Sequence, residues 1–403
     1  MNPNHRDRHR VFFLTMVPFP YGLAQTNRLI SIAGGLESAG CEVTVLCLKP
    51  TENQHNSLNH SPFGNYNQVK FVYTSGTSFR GGDPIRRAYL YIKGIISASG
   101  LLIKENKREK IRSVFIGVTP SLIILWYFVV CRILHINFLQ ERSEYPFVKE
   151  GKSWFDKPSL YIYLNIICKL FDGFVVITKN LSRFFAPYLR KNCPVFLLPI
   201  LTEPERFLPG NGGSMEKYIA YCGSMQGDKD GVPVLIDAFG IISRDFPELR
   251  LYLIGSTQFS GFDGLVVKIK LLGLERKIVF TGIVDREHLP EILSRALILV
   301  LARPVSKQAE GGFPTKLGEY LATGKPVVVT RVGEIPDYLQ DNINAFIAEP
   351  NDAGNFAEKL KQVLLNYEKA LEIGLEGQKQ ANTIFNYRVQ GKKLTDWLNK
   401  IRM

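Results

Sequence analysis

Short apolar runs alternate with amphipathic stretches along the whole chain. Val11–Val17 is a mainly apolar run, and Glu42–Leu48 is a second one. Between them Ile30, Ala33 and Leu36 recur at helical spacing. Continuous apolar runs are typical of strands that are buried on both faces of a parallel sheet. Because a strand, a helix and a parallel strand form a right-handed crossover, the pattern predicts a doubly wound α/β sheet.

A second α/β pattern follows a stretch rich in proline and glycine. Residues 201–214 have the composition of a linker. A chain of 403 residues also exceeds the size at which a single hydrophobic core keeps growing. We therefore expect two Rossmann-like parallel-sheet domains, residues 1–200 and residues 215–384, joined by that linker.

Two helical segments of the first domain bear on membrane contact. The run Leu122–Cys131 is wholly apolar but too short to span a bilayer, so we expect a buried crossover helix there. An earlier segment mixes apolar and basic side chains in a way that could rest on a membrane surface, although a solvated face stays an alternative. Its residues are Arg86, Arg87, Tyr89, Tyr91, Lys93, Ile95 and Ile96.

The excess of positive over negative charge is confined to the first half of the chain. The formal net charge is +13. Residues 1–200 hold 25 Lys and Arg against 12 Asp and Glu, whereas the remainder holds 25 of each kind. This imbalance indicates an anionic partner such as an acidic membrane, a lipid pyrophosphate or a nucleic acid, with a merely solvated surface as the alternative.

Composition and cysteine usage favour a cytoplasmic globular protein. The chain is 45% hydrophobic and 22% charged, which is typical of a folded protein. Its six cysteines occur singly, mostly within apolar segments, as expected of buried thiols in a reducing compartment. The basic N-terminus followed by a short apolar run predicts a tail before a first strand rather than a signal peptide.

A phosphate-binding element is predicted in the second half. Gly311 and Gly312 precede Pro314, which suits a first helical turn, and the predicted helix Thr315–Ala322 ends before Gly324. The apolar run that follows indicates a buried strand. The free N–H groups at the start of such a helix bind phosphate well, and a lysine in its first turn, Lys316, favours an anion nearby.

Another glycine-rich turn lies between a predicted strand, Tyr218–Cys222, and a predicted helix. Lys229 stands in this turn, where a lysine beside glycines suits a phosphate, although a solvated loop lysine is the alternative. Asp228 and Asp230 have the spacing of a metal-binding pair, but they fall within the same predicted phosphate turn. We therefore expect no metal at this site.

Acidic and aromatic residues follow a predicted strand of the first domain. The strand His135–Gln140 leads directly into Glu141, Arg142, Glu144 and Tyr145. Ligands of open α/β sheets bind at the carboxyl ends of the strands. We expect the two glutamates and the tyrosine to contact an acceptor, and the arginine to contact a phosphate or carboxylate. An ion-pair network around a loop is an equal alternative.

The stretch EGGFPTKLGEYLATGKPVVV resembles the nucleotide-binding signature of GT-B glycosyltransferases, most closely the retaining family 4, or group 1. The family carries two glutamates separated by seven residues, then Gly-x-Pro-Val-Val. Glu319 matches the second glutamate, which holds the nucleotide ribose. Gly311 stands at the position of the first, so Glu310 would have to replace that carboxylate through a bent loop.

The same resemblance extends to the first turn of the second domain. The family has an arginine and a lysine that grip the donor diphosphate. Lys229 matches the lysine, whereas Ser224 stands in place of the arginine, so Lys316 would carry more of the contact. The resemblance implies that Lys229, Glu310 and Lys316 act in catalysis. The donor-binding residues that it implies are Gly22, Gly223, Ser224, Lys229, Gly282, Gly312, Phe313, Pro314, Thr315, Lys316, Leu317 and Glu319.

The resemblance implies an activity as well as a fold. The two domains would face each other across a cleft, and a C-terminal helix within residues 385–403 would pack back on the first domain. The enzyme would move a hexose-type sugar from a UDP- or GDP-linked donor to a saccharide or lipid-linked acceptor. The transfer would occur with retention and without a metal or other cofactor. The implied pathway is synthesis of capsule, lipopolysaccharide or another surface polysaccharide, at the inner face of the plasma membrane if the basic half binds lipid.

Other functions remain open on the sequence. One group of nucleotide-sugar epimerases shares the GT-B architecture. A catalytically silent partner that only binds a nucleotide-sugar would explain the missing glutamate at Gly311 and the missing arginine at Ser224. A nucleic-acid-binding module fits the charge alone, since no recognition motif accompanies it, and we expect no nucleic-acid partner.

Overall fold

The computed structural model describes residues 9–53, 57–147, 156–207, 217–227 and 229–401. The chain divides into two compact units. The first unit comprises Met1–Leu201 and Tyr387–Met403, and the second comprises Thr202–Asn386. Within the described residues, no helix combines the length and apolar character that crossing a bilayer requires.

The first unit contains an eight-stranded sheet with the order β3-β4-β2-β1-β5-β6-β7-β8. All neighbouring strands are parallel except β3 and β4, which pair antiparallel. The strands are β1 (Arg10–Thr15), β2 (Glu42–Cys47), β3 (Phe63–Tyr66), β4 (Val69–Tyr73), β5 (Ser113–Ile116), β6 (Asn137–Arg142), β7 (Gly173–Val176) and β8 (Val195–Leu197). The helices before the linker are α1 (Ala24–Ser38), α2 (Pro84–Arg108), α3 (Ser121–Leu134), α4 (Asp156–Asn165) and α5 (Lys179–Phe185).

The second unit contains a six-stranded, fully parallel sheet with the order β11-β10-β9-β12-β13-β14. Its strands are β9 (Tyr218–Cys222), β10 (Arg250–Ile254), β11 (Ile278–Gly282), β12 (Ile298–Leu301), β13 (Val327–Thr330) and β14 (Phe346–Ala348). Its helices are α6 (Val232–Ile242), α7 (Phe262–Leu271), α8 (Leu289–Arg295), α9 (Lys307–Gly311), α10 (Thr315–Ala322), α11 (Ile335–Tyr338), α12 (Ala353–Leu365) and α13 (Tyr367–Asn382). Strand β9 lies between β10 and β12, so the strand order reverses there. In open α/β sheets ligands bind at such a reversal, outside the carboxyl ends of the strands, which here are β9 and β12.

The last helix, α14 (Tyr387–Leu398), belongs to the first unit and packs on α1. Leu394 and Leu398 enter the hydrophobic core beneath the sheet, and the Trp397 ring lies 5.4 Å from the Phe196 ring. Two glycines, Gly35 on α1 and Gly391 on α14, let the helix backbones approach closely. The chain therefore returns to complete the core of its first unit.

The prediction of a buried helix at Leu122–Cys131 is wrong in part. Helix α3 forms there, and Ile124, Tyr127 and Cys131 are fully buried. Its opposite face is open to solvent, with Leu122 80% exposed. The apolar sequence cannot distinguish a helix that is covered on both sides from one that is covered on one side only.

A buried histidine gives the first unit an acid-sensitive contact. His9 Nδ1 donates to Asn399 Oδ1 at 3.1 Å, and His9 Nε2 accepts from the Ser113 hydroxyl at 3.1 Å. Burial lowers the pKa of His9, the Asn399 contact opposes this shift, and the charge of Arg112 adds to it. The folded chain therefore holds His9 neutral at a pH where the unfolded chain protonates it.

We expect acid to weaken the wild-type protein more than a His9→Gln variant. Because the folded pKa is lowered, the contribution of His9 is present above the unfolded pKa of about 6.5 and is lost as the pH falls through the folded pKa. Thermal unfolding midpoints at several pH values between neutral and mildly acidic would show the wild type losing more stability than the variant. Parallel losses in the two proteins would contradict the assignment.

Candidate functional site

The turns that follow β9 and β12 meet at the carboxyl edge of the second sheet. Gly231 is the N-cap residue of α6 and has a φ of 68°, and a Cβ at this position would lie 1.8 Å from the Ala302 carbonyl oxygen. Only glycine fits both the left-handed backbone and this approach. The contact places the neighbouring Asp230 beside the turn after β12.

A buried polar cluster joins this turn to the start of α10. Lys316 Nζ lies 2.6 Å from Asp230 Oδ2 and donates to the Tyr221 hydroxyl at 3.1 Å. That hydroxyl donates to the same Asp230 oxygen at 2.8 Å, and Lys316 Nζ sits 4.5 Å from the centre of the Tyr221 ring. We call Tyr221, Asp230 and Lys316 the lysine cluster. It fixes a cation at the edge where an anionic ligand of an α/β sheet would bind.

Neighbouring groups keep the Asp230 carboxyl group ionised. Burial alone raises the pKa of this carboxyl, but the ammonium of Lys316, the guanidinium of Arg303 and the Tyr221 hydroxyl outweigh it, so the pKa lies below the ordinary value. Arg303 Nε is 4.0 Å from Asp230 Oδ1, and both side chains are almost fully buried. Asp230 is therefore an anion at neutral pH. Lys316 in the first turn of α10 predicted a nearby anion. Asp230, a residue of the chain rather than a ligand, is such an anion.

Gly223 leaves the space through which Lys316 reaches the cluster. A Cβ on this glycine would lie 1.9 Å from Lys316 Nζ. The next residue along α10 that faces β9 is Tyr320, whose hydroxyl accepts from the Cys222 backbone N–H at 2.7 Å. These contacts hold the first two turns of α10 against the end of β9.

Glu319 lies on the same helix in a second ionic network. Its Oε1 is 3.5 Å from Arg206 Nη1, and the side chain keeps 23% exposure. Burial raises the pKa of Glu319, while Arg206 and Arg286 oppose the shift. Arg286 also pairs with Glu203 at 2.7 Å. Glu319 is thus a partly accessible carboxylate whose present partner is a side chain of the turn Pro204–Phe207.

Glu310 does not lie on a bent loop, so that part of the prediction is wrong, whereas its role in catalysis stays a prediction. Glu310 lies within helix α9, which begins where the Ser306 hydroxyl accepts from the Ala309 N–H at 3.0 Å. Its carboxylate pairs with Lys307 at 3.1 Å across one helical turn. Gly311, at the position of the missing family glutamate, ends this helix.

Other predicted donor-binding residues divide into buried and accessible sets. Gly312, Phe313, Pro314 and Leu317 are buried, and the Phe313 ring packs 5.3 Å from Tyr338 and 5.8 Å from Phe385. These four residues therefore support the start of α10 rather than face a ligand with their side chains. The accessible or half-buried residues of the set in the second unit are Gly223, Ser224, Lys229, Gly282, Thr315, Lys316 and Glu319.

The predicted acceptor residues and Gly22 lie in the first unit. Glu141 pairs with the buried Arg28 at 2.6 Å, and Arg28 also donates to the Leu198 and Pro199 carbonyls. Arg142 is buried against the Tyr163 ring, 5.2 Å from its centre. The ion-pair alternative thus describes the present state of Glu141, and an acceptor role stays a prediction.

Glu144, Tyr145 and Gly22 complete the predicted set of the first unit. Glu144 is half-buried, and Tyr145 stacks on Phe147 with ring centres 5.0 Å apart. Gly22 precedes α1, where a Cβ would lie 2.2 Å from Thr26 Oγ1. The roles inferred for these three residues also stay predictions.

Sequence reasoning missed Tyr221, Arg303 and Arg206, and it placed Asp230 in a phosphate turn without giving it a role. Tyr221 and Arg303 were available as polar residues at the ends of β9 and β12. Asp230 and Lys316 are 86 residues apart in the chain, so only the folded sheet brings them together.

The two units define the class of protein. Each unit contains a Rossmann-like sheet, and two such units in one chain are the GT-B fold. Sucrose-phosphate synthase from Thermosynechococcus elongatus superposes with a TM-score of 0.75 at 16% identity, covering 98% of this chain and 99% of that one. HepE of Anabaena, solved in complex with UDP-glucose, superposes with a TM-score of 0.68 at 13% identity, covering 97% and 99%.

The family of the second unit is equally clear. Residues 216–366, from the start of β9 to the end of α12, match the family described as Glycosyl transferases group 1. This part of the chain is therefore a Glycosyl transferases group 1 domain, and the chain has the GT-B fold.

Two curated relatives align over part of the chain. Mannosylfructose-phosphate synthase of Agrobacterium fabrum is 28% identical over 204 residues, which is 46% of this chain and 44% of that protein. The GDP-mannose-dependent α-(1-6)-phosphatidylinositol monomannoside mannosyltransferase of Mycolicibacterium smegmatis is 25% identical over 241 residues, 57% of this chain and 62% of that protein. The chain thus spans less than two thirds of the length of these relatives.

Proposed function

We propose that this chain is a retaining glycosyltransferase of family 4 that takes a hexose-type sugar from a UDP- or GDP-linked donor. The observation that carries the proposal is the juxtaposition of Lys316 and Glu319 on one short helix at the switch point of a group 1 domain. One side chain offers a cation for a diphosphate and the other a carboxylate for ribose hydroxyls. A nucleotide-sugar presents both groups.

The proposed chemistry is electrostatic. As the bond to the sugar breaks, negative charge grows on the leaving diphosphate, and a cation already fixed in place stabilises that charge without reorganising. Lys316 is fixed by Asp230 and Tyr221, and the exposed Lys229 on the neighbouring turn would supply a second cation. A donor phosphate oxygen would take the acceptor proton, so no side-chain base is required.

The proposed reaction needs no metal and no other cofactor. Asp230, one member of the Asp-x-Asp pair, is committed to Lys316 and Tyr221 rather than left open to a cation. Chelation by EDTA is expected to leave the activity of the purified protein unchanged. Loss of activity on chelation, with recovery on adding Mg²⁺ or Mn²⁺, would contradict this part of the proposal.

The proposed acceptor is a saccharide or lipid-linked saccharide that binds the basic first unit. The mannosyltransferase relative acts on a phosphatidylinositol mannoside by its name, which supports a lipid-linked acceptor. Synthesis of a surface polysaccharide, such as capsule or lipopolysaccharide, is the pathway we propose. The protein would work in the cytoplasm, in peripheral contact with the inner face of the plasma membrane.

A thermal-shift panel tests the donor site directly. Folded protein would be heated with UDP, GDP, ADP, CMP and their common sugar conjugates. Selective stabilisation by UDP- or GDP-linked sugars is expected, since a ligand that binds only the folded state raises its stability. Conversion of the donor sugar without an acceptor would favour a GT-B epimerase. Absence of a shift with every nucleotide would overturn the donor-site proposal.

We expect Glu319→Gln to weaken donor binding by about tenfold to a hundredfold. The substitution replaces charge-assisted hydrogen bonds to the ribose with neutral ones, and a bond to a charged group contributes about 1.5–3 kcal/mol. Calorimetric titration with the stabilising nucleotide would measure the change. Glu372→Gln on α13, an exposed glutamate paired with Lys369, is the matched control and should bind as the wild type does. Equal affinity in both variants would remove Glu319 from the site.

A further inference from the structure

Helix α2 exposes a stripe of large apolar side chains. The stripe follows the spacing of one helical face, and its members are Ile85 (83% exposed), Tyr89 (61%), Ile92 (56%), Ile96 (59%) and Ile103 (39%). The opposite face of the same helix carries Leu90, Gly94, Ala98 and Leu102, all buried. The stripe is thus a second apolar face, which the core of the first unit does not use.

Helix α3 exposes a matching face. Its members are Leu122 (80% exposed), Leu125 (43%), Trp126 (49%), Val129 (47%) and Ile133 (72%). Arg132 is the single charged residue of this helix, and it is engaged with Asp172 at 2.8 Å. Soluble proteins rarely expose so many large apolar side chains in one patch, and such patches mark interaction sites.

The two faces form one surface. Trp126 Nε1 of α3 donates to the Ser99 hydroxyl of α2 at 2.9 Å, and Ser99 lies between Ile96 and Ile103 along the helix. The Tyr127 hydroxyl donates to the Ile95 carbonyl at 2.9 Å. These bonds fix α3 alongside the apolar stripe of α2. We call the ten exposed apolar residues of the two helices the α2–α3 face.

The charge beside this face is mainly positive, with the exposed acids Asp83 and Glu109 only at the two ends of α2. The exposed charged side chains of α2 are Arg86, Arg87, Lys93, Lys104, Lys107 and Arg108. Glu105, the single acid on this helix, is turned toward the buried Arg10 and pairs with it at 2.6 Å. On a helical projection Arg86, Lys93 and Lys104 flank the apolar stripe on the side away from Ser99. Their long stems can lie over apolar surface while the cations reach outward.

We propose that the α2–α3 face seats this protein on an anionic lipid bilayer, with its apolar side chains inserted at the boundary between headgroups and acyl chains. An apolar stripe flanked by lysine and arginine is the pattern that binds in the plane of such an interface. A second copy of the chain is a poorer occupant, because a symmetric pair would bring the same α2 cations against one another. The inference rests on the proposed peripheral membrane contact and deepens it by naming the surface that makes it, and it uses residues of the first unit alone.

Vesicle co-sedimentation of the full chain tests the proposal. Vesicles of phosphatidylcholine alone and of an equimolar mixture with phosphatidylglycerol would be compared. The wild type is expected to sediment with the mixed vesicles and to be partly released by salt. A triple variant, Ile85→Ser, Ile92→Ser and Ile96→Ser, is expected to bind about tenfold or more weakly, since it removes apolar area that enters the lipid. These side chains are exposed, so the variant should fold.

Charge and insertion have separate controls. Arg86→Glu with Lys93→Glu should abolish the preference for anionic vesicles. Lys392→Glu with Lys393→Glu on α14 makes the same change in net charge on exposed residues of another helix, and it should bind as the wild type does. The fluorescence of the wild type minus that of Trp126→Phe should shift to the blue on binding the mixed vesicles.

Three results would overturn the proposal. The first is wild-type protein that stays in the supernatant with mixed vesicles. The second is a triple isoleucine variant that binds as tightly as the wild type, which would mean adsorption by charge alone. The third is a wild-type dimer in light scattering that the triple variant converts to a monomer without any lipid binding, which would assign the face to a second copy. None of these outcomes depends on nucleotide binding, so failure here is distinguishable from failure of the donor site.

Discussion

Lys316→Ala is expected to lower the turnover number for sugar transfer by about a hundredfold to a thousandfold, the usual loss when one fixed electrostatic group at a developing negative charge is removed. The lysine is 15% exposed and is held by Asp230 and Tyr221, so it is already in place before any ligand arrives. Transfer rates with the donor that the thermal-shift panel identifies would measure the effect.

The same substitution has a second, structural consequence. Asp230 is 5% exposed, and among the described residues its carboxylate would, without Lys316, keep only the Tyr221 hydroxyl and the more distant Arg303. Removing one partner of a buried ion pair costs about 3–5 kcal/mol. We therefore expect a lower thermal midpoint together with the lost activity, and the two effects must be separated.

The double variant Lys316→Ala with Asp230→Asn separates them. Asparagine removes the unpaired buried charge, so the double variant should regain most of the thermal stability of the wild type. If Lys316 stabilises the leaving diphosphate, transfer stays slow in the double variant. If its role is only to neutralise Asp230, transfer recovers along with stability. Recovery of activity would contradict the electrostatic role.

Helices and strands of the second unit were predictable where neighbouring residues in the sequence determine them. Helix α10 occupies Thr315–Ala322 as predicted, because a proline at its start and Gly324 after its end fix both boundaries within a few residues. The strand that follows was also predicted from its β-branched run. Such elements need no information from the rest of the chain.

The lysine cluster was not predictable in the same way. It depends on the order of strands, which brings the turn after β9 against the turn after β12 and under α10. Local sequence offered two other interpretations of Asp230, as a loop residue or as a metal ligand. The correct partner was Lys316, whose place in a first helical turn had already indicated a nearby anion.

Two errors have local explanations. The paired glycines at Gly311 and Gly312 suggested a loop, but Ser306 caps a short helix that carries Glu310. Helix α13 was missed although Ala370, Ile373, Gly377 and Ala381 recur at helical spacing and are buried. Small residues at such positions signal a close helix contact, but they give a weaker apolar pattern than large side chains do.

Gly391→Ala is the second substitution for which we expect a large effect. It should detach α14 from α1, because the two helices are in close contact at this glycine. A Cβ on Gly391 would lie 2.1 Å from the carbonyl oxygen of Gly35, 2.2 Å from its carbonyl carbon and 2.6 Å from its Cα. All three atoms belong to backbone, so no side-chain rotation relieves the clash. One helix must move away from the other.

Helix propensity alone does not decide whether Gly391→Ala raises or lowers the free energy of unfolding. Alanine is favoured over glycine inside a helix by about 1 kcal/mol, which would stabilise α14 if nothing opposed it. Overpacking that shifts backbone costs about 1–3 kcal/mol and sometimes more. Displacing α14 would in addition loosen Leu394 and Leu398, which lie in the core of the first unit. We therefore expect a net loss of about 2–4 kcal/mol in the free energy of unfolding.

Urea unfolding of the wild type, Gly391→Ala and Gly100→Ala would measure this loss. Gly100 lies inside α2, and a Cβ there would meet nothing within 4 Å, so the control isolates helix propensity and should be slightly stabilised. Amide hydrogen exchange should show lost protection in α14 for Gly391→Ala alone. A Gly391→Ala protein as stable as the control would mean that the two helices separate without cost. In that case the packing of α14 on α1 would contribute little to holding the first unit together.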